Sequence, residues 1–263
     1  MGDTSIAEQR TCAACGTAIG LFPFSMAFQP IVDLERCEIH AHEALVRGPT
    51  GSPARTVLDQ VTNENRYAFD QACRVKAIEL AARLGLQTRL SINFLPNAVY
   101  DPRACIRQTL DAAQRTGFPS NRIIFEIVEG EQIADDAHLL GIIREYRRQG
   151  FAVALDDFGT GYSGLARLAR LQPDIIKLDR VLVAGCDKSP VQRSIIGATA
   201  LLCRDMGVKL VVEGVETAAE LDVVRAAHIR FVQGFYFAQP AFEYVTQAHD
   251  IKALCGPALS TAG

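Results

Sequence analysis

The sequence predicts an α/β fold, a TIM-like (β/α)8 barrel that can include one antiparallel strand near the N-terminus. Segments with strand character alternate with helical segments along most of the chain, a pattern typical of parallel βαβ units. The chain has 263 residues, a common length for a single barrel domain. A doubly wound open sheet would explain both observations equally well, so a third one is needed: the polar residues that end most of the predicted strands.

The elements follow one another from residue 26 onward. Apolar runs at 26–32 and 39–46 flank a short polar turn, which predicts two strands joined as a hairpin. Helices are predicted where apolar residues recur every three or four positions, and Gly85, Gly117 and Gly150 follow three of these segments as typical helix stops. Further strands are predicted at 88–93, 122–127, 151–155, 174–178, 208–213 and 230–233, and helices at 67–84, 104–116, 134–149, 165–171, 191–206 and 218–227.

Composition limits the class of protein. Apolar residues make up 49% of the chain and charged residues 22%, as in ordinary globular proteins, and no apolar run is long enough to span a membrane. A net charge of −3 argues against binding a nucleic-acid polymer, which favours a basic surface. Residues 1–10 contain Asp3 and Glu8 and lack the apolar stretch of a secretory signal, so we expect a cytoplasmic protein without a membrane segment.

The predicted domain covers residues 21–250, between a flexible N-terminal extension (1–20) and a C-terminal tail (251–263). The chain has eight cysteines, scattered mostly through apolar patterns, which favours reduced thiols over a disulfide framework. Cys12 and Cys15 form a CxxC pair, but neither a second pair nor two nearby histidines complete a zinc site. We therefore assign the pair to the extension.

Polar residues at the strand ends favour the barrel over the open sheet. In a barrel, the carboxyl ends of all parallel strands meet at one mouth, where catalytic groups of this fold lie. In an open sheet they would be spread along an edge. The residues at or near these ends are Glu43, Asn93, Glu126, Asp156, Lys177, Glu213 and Gln233.

These residue types predict a site for hard cations. Carboxylate and amide oxygens are ligands for Mg²⁺ or Mn²⁺, and the adjacent Asp156 and Asp157 provide enough acidic groups for two ions. Two ions can stabilise the attacking and leaving oxygens of phosphodiester cleavage. Lys177 could contact a phosphate or the attacking water, and Glu213 could remove a proton from that water. Taken singly, the aspartate pair could equally be a solvated turn and Lys177 part of a structural ion pair.

A series of motifs resembles the EAL-domain family of cyclic di-GMP phosphodiesterases over roughly residues 24–242. The motifs occur in the family's order, and they are Phe28-Gln29-Pro30-Ile31-Val32-Asp33, Glu43-Ala44-Leu45-Val46-Arg47, Asp156-Asp157-Phe158-Gly159-Thr160-Gly161-Tyr162-Ser163, Lys177-Leu178-Asp179, Glu213-Gly214-Val215-Glu216-Thr217 and Gln233-Gly234-Phe235.

The resemblance implies a barrel enzyme that uses two Mg²⁺ or Mn²⁺ ions to open one phosphodiester of cyclic di-GMP, giving linear pGpG. It implies that Lys177 lies near the reactive water, that Glu213 is the general base, and that Glu129 braces the loop after the aspartate pair. It also implies a homodimer in which that loop lies near the interface. The implied metal ligands are Glu43, Asn93, Glu126, Asp156 and Asp157, and the implied dinucleotide contacts are Gln29, Leu45, Arg47, Gln233 and Pro240.

The sequence departs from the family pattern at three places. Phe94 and Leu95 follow Asn93 where smaller or polar residues are usual, which predicts a bulkier wall beside the ligand. Gly164 replaces a common serine, and Gln239 precedes Pro240 where a basic residue is frequent. Two other functions remain open: a cyclic di-GMP receptor or protein-docking module without turnover, and a barrel enzyme acting on a different phosphorylated substrate.

Overall fold

The computed structural model describes residues 21–99, 101–128, 136–160 and 164–255. Its strands are β1 Ser25–Asp33, β2 Glu38–Arg47, β3 Arg89–Phe94, β4 Ile123–Val128, β5 Ala152–Phe158, β6 Ile175–Leu178, β7 Lys209–Val212, β8 Phe231–Val232 and β9 Ala241–Phe242. Its α-helices are α1 Arg55–Leu58, α2 Arg66–Arg83, α3 Pro102–Cys105, α4 Arg107–Thr116, α5 Asp136–Arg148, α6 Gly164–Leu171, α7 Arg180–Val183, α8 Pro190–Met206, α9 Ala218–Ala226 and α10 Ala248–Cys255.

The sheet closes into a barrel. Its strand order is β2-β3-β4-β5-β6-β7-β8-β1, and β1 also pairs with β2, so the barrel has no open edge between these strands. Strands β2 to β8 are parallel, whereas β1 runs antiparallel to both β2 and β8. The predicted barrel with one antiparallel strand near the N-terminus is therefore confirmed.

Several local elements differ from the sequence-based prediction. The helix predicted at 104–116 is divided into α3 and α4, because Pro102 begins a short first helix and Asp101 caps it by accepting hydrogen bonds from the Arg103 and Ala104 N–H groups. The polar loop after β2 contains the short helix α1. Helix α10 lies where no helix was predicted, and its Ile251 is fully buried.

Two large apolar clusters join the outer face of the barrel to the surrounding helices. A third fills the part of the barrel interior that lies away from the mouth. Because side chains alternate along a strand, the residue two positions closer to the mouth also faces inward. The interior apolar residues are Ile31, Ala41, Ile124, Ala154, Ile175, Val211 and Phe231. The next inward positions toward the mouth are Gln29, Glu43, Glu126, Asp156, Lys177, Glu213 and Gln233.

No helix in the described ranges combines the length and the apolar character needed to cross a bilayer. Glu129, the Gly161–Ser163 part of the loop motif, and the predicted N-terminal extension with Cys12 and Cys15 all lie outside the described residues. The expected division of the chain at residues 20 and 250 stays a prediction.

Candidate active site

Lys177 lies at the centre of the mouth, surrounded by carboxylates from four other strand ends. Its Nζ is 2.7 Å from Glu213 Oε1, 3.0 Å from Glu126 Oε1, 3.2 Å from Asp156 Oδ1 and 3.3 Å from Glu43 Oε2. The lysine side chain is only 1% exposed. One buried ammonium therefore faces four acidic groups, and its single positive charge cannot neutralise four ionised carboxylates.

Burial and mutual repulsion dominate the protonation of this cluster. Burial by itself lowers the pKa of Lys177, but the carboxylates of Glu126 and Glu213 outweigh it and raise that pKa well above its usual range. Burial, followed by repulsion from Glu43, raises the pKa of Glu126 well above its usual range. The pKa of Asp156 is also raised, mainly by burial.

Glu43 and Glu213 differ in the number of groups that stabilise their charge. Burial would raise the pKa of Glu43, but Lys177 and hydrogen bonds from Gln233 and Asn93 lower it overall. Burial raises the pKa of Glu213 to about 8, despite its contact with Lys177. A pKa near neutral suits a group that exchanges protons, which makes Glu213 a candidate general base.

A β-bulge allows Asp156 and Asp157 to serve the same site. Adjacent residues of a regular strand point to opposite faces. The pairing of β5 with β6 shifts register between Leu155 and Phe158, and Asp157 has a φ of +54°. Aspartate tolerates this left-handed conformation better than most residues. Burial, then the charges of Asp156 and Asp179, raises the pKa of Asp157 to about 6.

The acidic residues form two groups that could each hold a cation. Oxygens of Glu43, Glu126 and Asp156 lie within 4.8 Å of one another, and so do oxygens of Asp156, Asp157 and Glu213. Asp156 belongs to both groups. Glu126 Oε2 is buried and has no hydrogen-bond partner among the described residues, so one ligand atom is left for an ion. These all-oxygen groups fit hard divalent cations.

Amides and a hydroxyl orient the carboxylates. Asn93 Nδ2 donates to Glu43 Oε1 at 3.0 Å, and Gln233 Nε2 donates to Glu43 Oε2 at 2.7 Å. Ser91 Oγ donates to Glu126 Oε1 at 2.6 Å. Sequence reasoning did not select Ser91, although its position two residues before Asn93 on the same strand face could have indicated it.

The residues expected to contact a dinucleotide surround the same mouth. Gln29 accepts a hydrogen bond from Gln233 at 3.2 Å and donates to Ala238 O at 3.1 Å. Leu45 and Arg47 follow Glu43 at alternate positions of β2, and both are half-buried. Pro240 is half-buried and immediately precedes β9, which pairs with β1.

For Phe94, the expected bulkier wall beside Asn93 was wrong. Phe94 faces away from the barrel interior, because it alternates with Asn93 on β3. Its ring packs at centroid distances of 5.5 Å from Phe125 and 5.4 Å from Tyr146 in the outer core. The large side chain therefore fills the space between barrel and helices and does not narrow the mouth.

The closed barrel, with oxygen ligands gathered around a buried lysine at its C-terminal mouth, belongs to the class of TIM-like barrels with a candidate centre for divalent cations. The chain belongs to the EAL domain family, whose model matches residues 17–240.

Solved structures of related proteins have the same fold. A standalone EAL protein from Vibrio cholerae O395, solved in a c-di-GMP-bound form, is 48% identical with a TM-score of 0.83, over 86% of this chain and 95% of that one. BlrP1 from Klebsiella pneumoniae, solved at pH 9.0 as a manganese and c-di-GMP complex, is 33% identical with a TM-score of 0.80, over 86% of this chain and 58% of that one.

The curated relatives are longer proteins. The blue light- and temperature-regulated antirepressor BluF of Escherichia coli is 30% identical over 91% of this chain and 59% of its own length. The cyclic di-GMP phosphodiesterase NbdA of Pseudomonas aeruginosa is 29% identical over 81% of this chain and 28% of its own. This chain thus spans less than two thirds of either relative.

Proposed function

We propose that this chain is a metal-dependent phosphodiesterase that hydrolyses one phosphodiester bond of cyclic di-GMP and releases linear pGpG. The observation that carries the proposal is the pair of all-oxygen groups that share Asp156 beside Lys177 and Glu213. The name of NbdA and the c-di-GMP bound to the V. cholerae protein support the choice of substrate.

Two Mg²⁺ or Mn²⁺ ions fit the donor set. Glu43, Asn93, Glu126 and Asp156 would hold one ion, and Asp157 together with Asp156 would hold the second. When bound, the ions stabilise negative charge on the phosphate and on the attacking and leaving oxygens. The manganese in BlrP1 supports a metal of this kind in a related barrel.

Glu213 and Lys177 carry out the proton chemistry in this proposal. Glu213 accepts a proton from a water molecule as the water oxygen bonds to phosphorus, the ester P–O bond breaks, and the leaving oxygen takes up a proton. Lys177 holds its ammonium 2.7 Å from Glu213 Oε1. That contact orients the base and favours its ionised form against the effect of burial.

Residues around the rim would bind the dinucleotide. The guanidinium of Arg47 suits a phosphate oxygen, because charge-assisted hydrogen bonds to phosphate are strong. The other proposed contacts are Gln29, Leu45, Gln233 and Pro240. Bracing of the loop after Asp157 by Glu129, a homodimer and a cytoplasmic location stay predictions, and size-exclusion chromatography with light scattering tests the dimer.

The test is incubation of the purified chain with cyclic di-GMP and Mg²⁺ or Mn²⁺, followed by chromatography of the products. We expect pGpG from the wild type and no turnover from Glu43→Ala or Asp156→Ala. Glu213→Gln should bind cyclic di-GMP but not hydrolyse it, because only the proton acceptor is lost. Appreciable activity of Glu43→Ala would contradict the ligand assignment, and loss of binding in Glu213→Gln would contradict the base assignment.

A second candidate is a protein-docking module or cyclic di-GMP receptor without turnover. The observation that favours it is the name of BluF, an antirepressor, which belongs to a relative with 30% identity. Binding of cyclic di-GMP by the wild type without formation of pGpG would support this candidate over the enzyme.

A further inference from the structure

A fully buried ion pair lies outside the barrel, on helix α2. Arg74 Nη2 is 2.5 Å from Asp70 Oδ2, and the two side chains are 0% and 3% exposed. A buried ion pair contributes little net stability compared with apolar residues of similar size, although removal of one partner is costly. Its place in the core therefore calls for an explanation other than stability.

The second oxygen of Asp70 anchors the end of a barrel strand. Asp70 Oδ1 accepts a hydrogen bond from the Leu95 N–H at 3.0 Å. Leu95 directly follows β3, and Asn93 lies two residues before it. Arg74 in turn donates to the Tyr146 hydroxyl at 3.4 Å, and Tyr146 packs against Phe94. The pair thus contacts the backbone that follows Asn93 directly, and the Phe94 side chain through Tyr146.

This anchor lies where the sheet no longer holds β3. Pairing of β3 with β2 ends at Ile92, and pairing with β4 ends at Phe94. The Leu95 N–H therefore lies beyond the last paired residue, and Asp70 supplies its acceptor. Asn93, just before this point, directs its amide at Glu43 Oε1.

We propose that Asp70, held in place by Arg74, is a positioning residue that fixes the end of β3 and so aims the Asn93 amide at the candidate metal site. The inference rests on the proposed function, because it takes Asn93 as a metal ligand. Partners of this kind, one step removed from a metal, commonly change metal affinity by about 10- to 100-fold when they are replaced.

Two variants separate positioning from stability. Asp70→Leu/Arg74→Met removes both charges and leaves Leu95 without its acceptor. Asp70→Asn keeps an oxygen that can accept from Leu95 but leaves the charge of Arg74 unpaired. We expect the double variant to be the more stable in urea but to bind Mn²⁺ about tenfold more weakly than the wild type. Asp70→Asn should be less stable and bind Mn²⁺ more tightly than the double variant.

The matched control is Asp33→Leu/Arg230→Met. Asp33 is likewise buried, pairs with Arg230 at 2.6 Å and accepts hydrogen bonds from the Glu35 and Arg36 N–H groups, but it lies at the opposite end of the barrel. Mn²⁺ affinity is measured by calorimetry on the whole chain. Hydrogen–deuterium exchange of the peptide that contains Leu95 is followed without metal. We expect faster exchange there in the Asp70→Leu/Arg74→Met variant and no change in the control.

The inference would be overturned if exchange at Leu95 or the Mn²⁺ affinity were unchanged in the Asp70→Leu/Arg74→Met variant, or if the control lost as much affinity. It would also be overturned if the double variant and Asp70→Asn ranked in the same order by stability and by Mn²⁺ affinity. A double variant that does not fold would also overturn the separation of the two roles. If the wild type binds no Mn²⁺, the proposed function fails, and exchange at Leu95 still decides whether Asp70 anchors β3.

Discussion

Replacement of Lys177 by methionine should destabilise the chain in a strongly pH-dependent manner. Methionine keeps the length of the side chain but removes the charge that faces Glu43, Glu126, Asp156 and Glu213 at 2.7–3.3 Å. Removing one partner of a buried ion pair typically costs about 3–5 kcal/mol. Because the cluster is nearly inaccessible to solvent, we expect a loss in this range at pH 8 without added metal.

The direction of the pH effect follows from the raised pKa values. An acidic group whose pKa is higher in the folded than in the unfolded chain binds more protons when folded, so the free energy of unfolding decreases as pH rises between the two values. Glu213, with a folded pKa of about 8, already has this effect in the wild type. Without Lys177, the pKa values of Glu126 and Asp156 rise further. Each additional proton retained by the folded chain adds about 1.4 kcal/mol per pH unit to the slope.

Urea unfolding at pH 5, 6.5 and 8 in the presence of a chelator measures this slope. Lys209→Met is the control, because Lys209 is exposed and its replacement should change stability by less than about 0.5 kcal/mol. Added Mn²⁺ should recover part of the loss at pH 8 by replacing the missing positive charge. Equal stability of Lys177→Met and wild type at pH 8, or an equal loss at pH 5 and pH 8, would refute this account of the cluster.

Three further predictions concern the same site. Mn²⁺ affinity should fall as pH decreases from 8 to 6, because a proton must leave the proposed ligand Asp157, whose pKa is raised to about 6, and because a bound cation favours the ionised form of neighbouring Glu213, whose pKa is raised to about 8. Calorimetry in buffers of different ionisation enthalpy measures the released protons, and a pH-independent affinity would contradict the assignment of Asp157 as a ligand. Ser91→Ala removes the hydroxyl that donates to Glu126 at 2.6 Å and should weaken Mn²⁺ binding by about tenfold. Ser194→Ala, at an exposed position, is the control. Equal Mn²⁺ affinities of Ser91→Ala and the wild type would show that Ser91 does not orient Glu126 for metal binding. Gly234→Ala would place a Cβ 2.0 Å from Val215 O and should lower the free energy of unfolding by about 1–3 kcal/mol. The control is Gly197→Ala in helix α8, where the added Cβ meets open space and the change should be neutral or stabilising. Similar effects of the two changes on stability would contradict a tight contact between Gly234 and the Val215 backbone.

The barrel could be predicted from sequence because its determinants are local. Alternation of strands and helices, and apolar residues at alternate strand positions, repeat along the chain in a pattern that allows few topologies. The set of candidate site residues followed from the same regularity, since Glu43, Glu126 and Lys177 each lie two residues beyond an apolar interior position. Ser91 was missed because one serine within a strand carries no distinct signal.

Other features could not be read from the chain. Alternation predicts opposite directions for Asp156 and Asp157, and only the bulge in β5 brings both into the same group of ligands. Phe94 was expected beside the mouth, but side chains alternate along β3, and this alternation directs Phe94 into the outer core. Asp70 lay within an ordinary amphipathic helix, with no sequence signal of its contact with Leu95.

The sequence by itself determined the fold class and which residue types stand at the strand ends, because both depend on spacing along the chain. Only the tertiary structure decided that Lys177 shares its charge with four carboxylates and that Asp156 belongs to two ligand groups. Lys177 and Glu43 are 134 residues apart, and they meet at 3.3 Å. Such contacts depend on closure of the barrel and on the register of every strand between them, and these are properties of the whole packed chain.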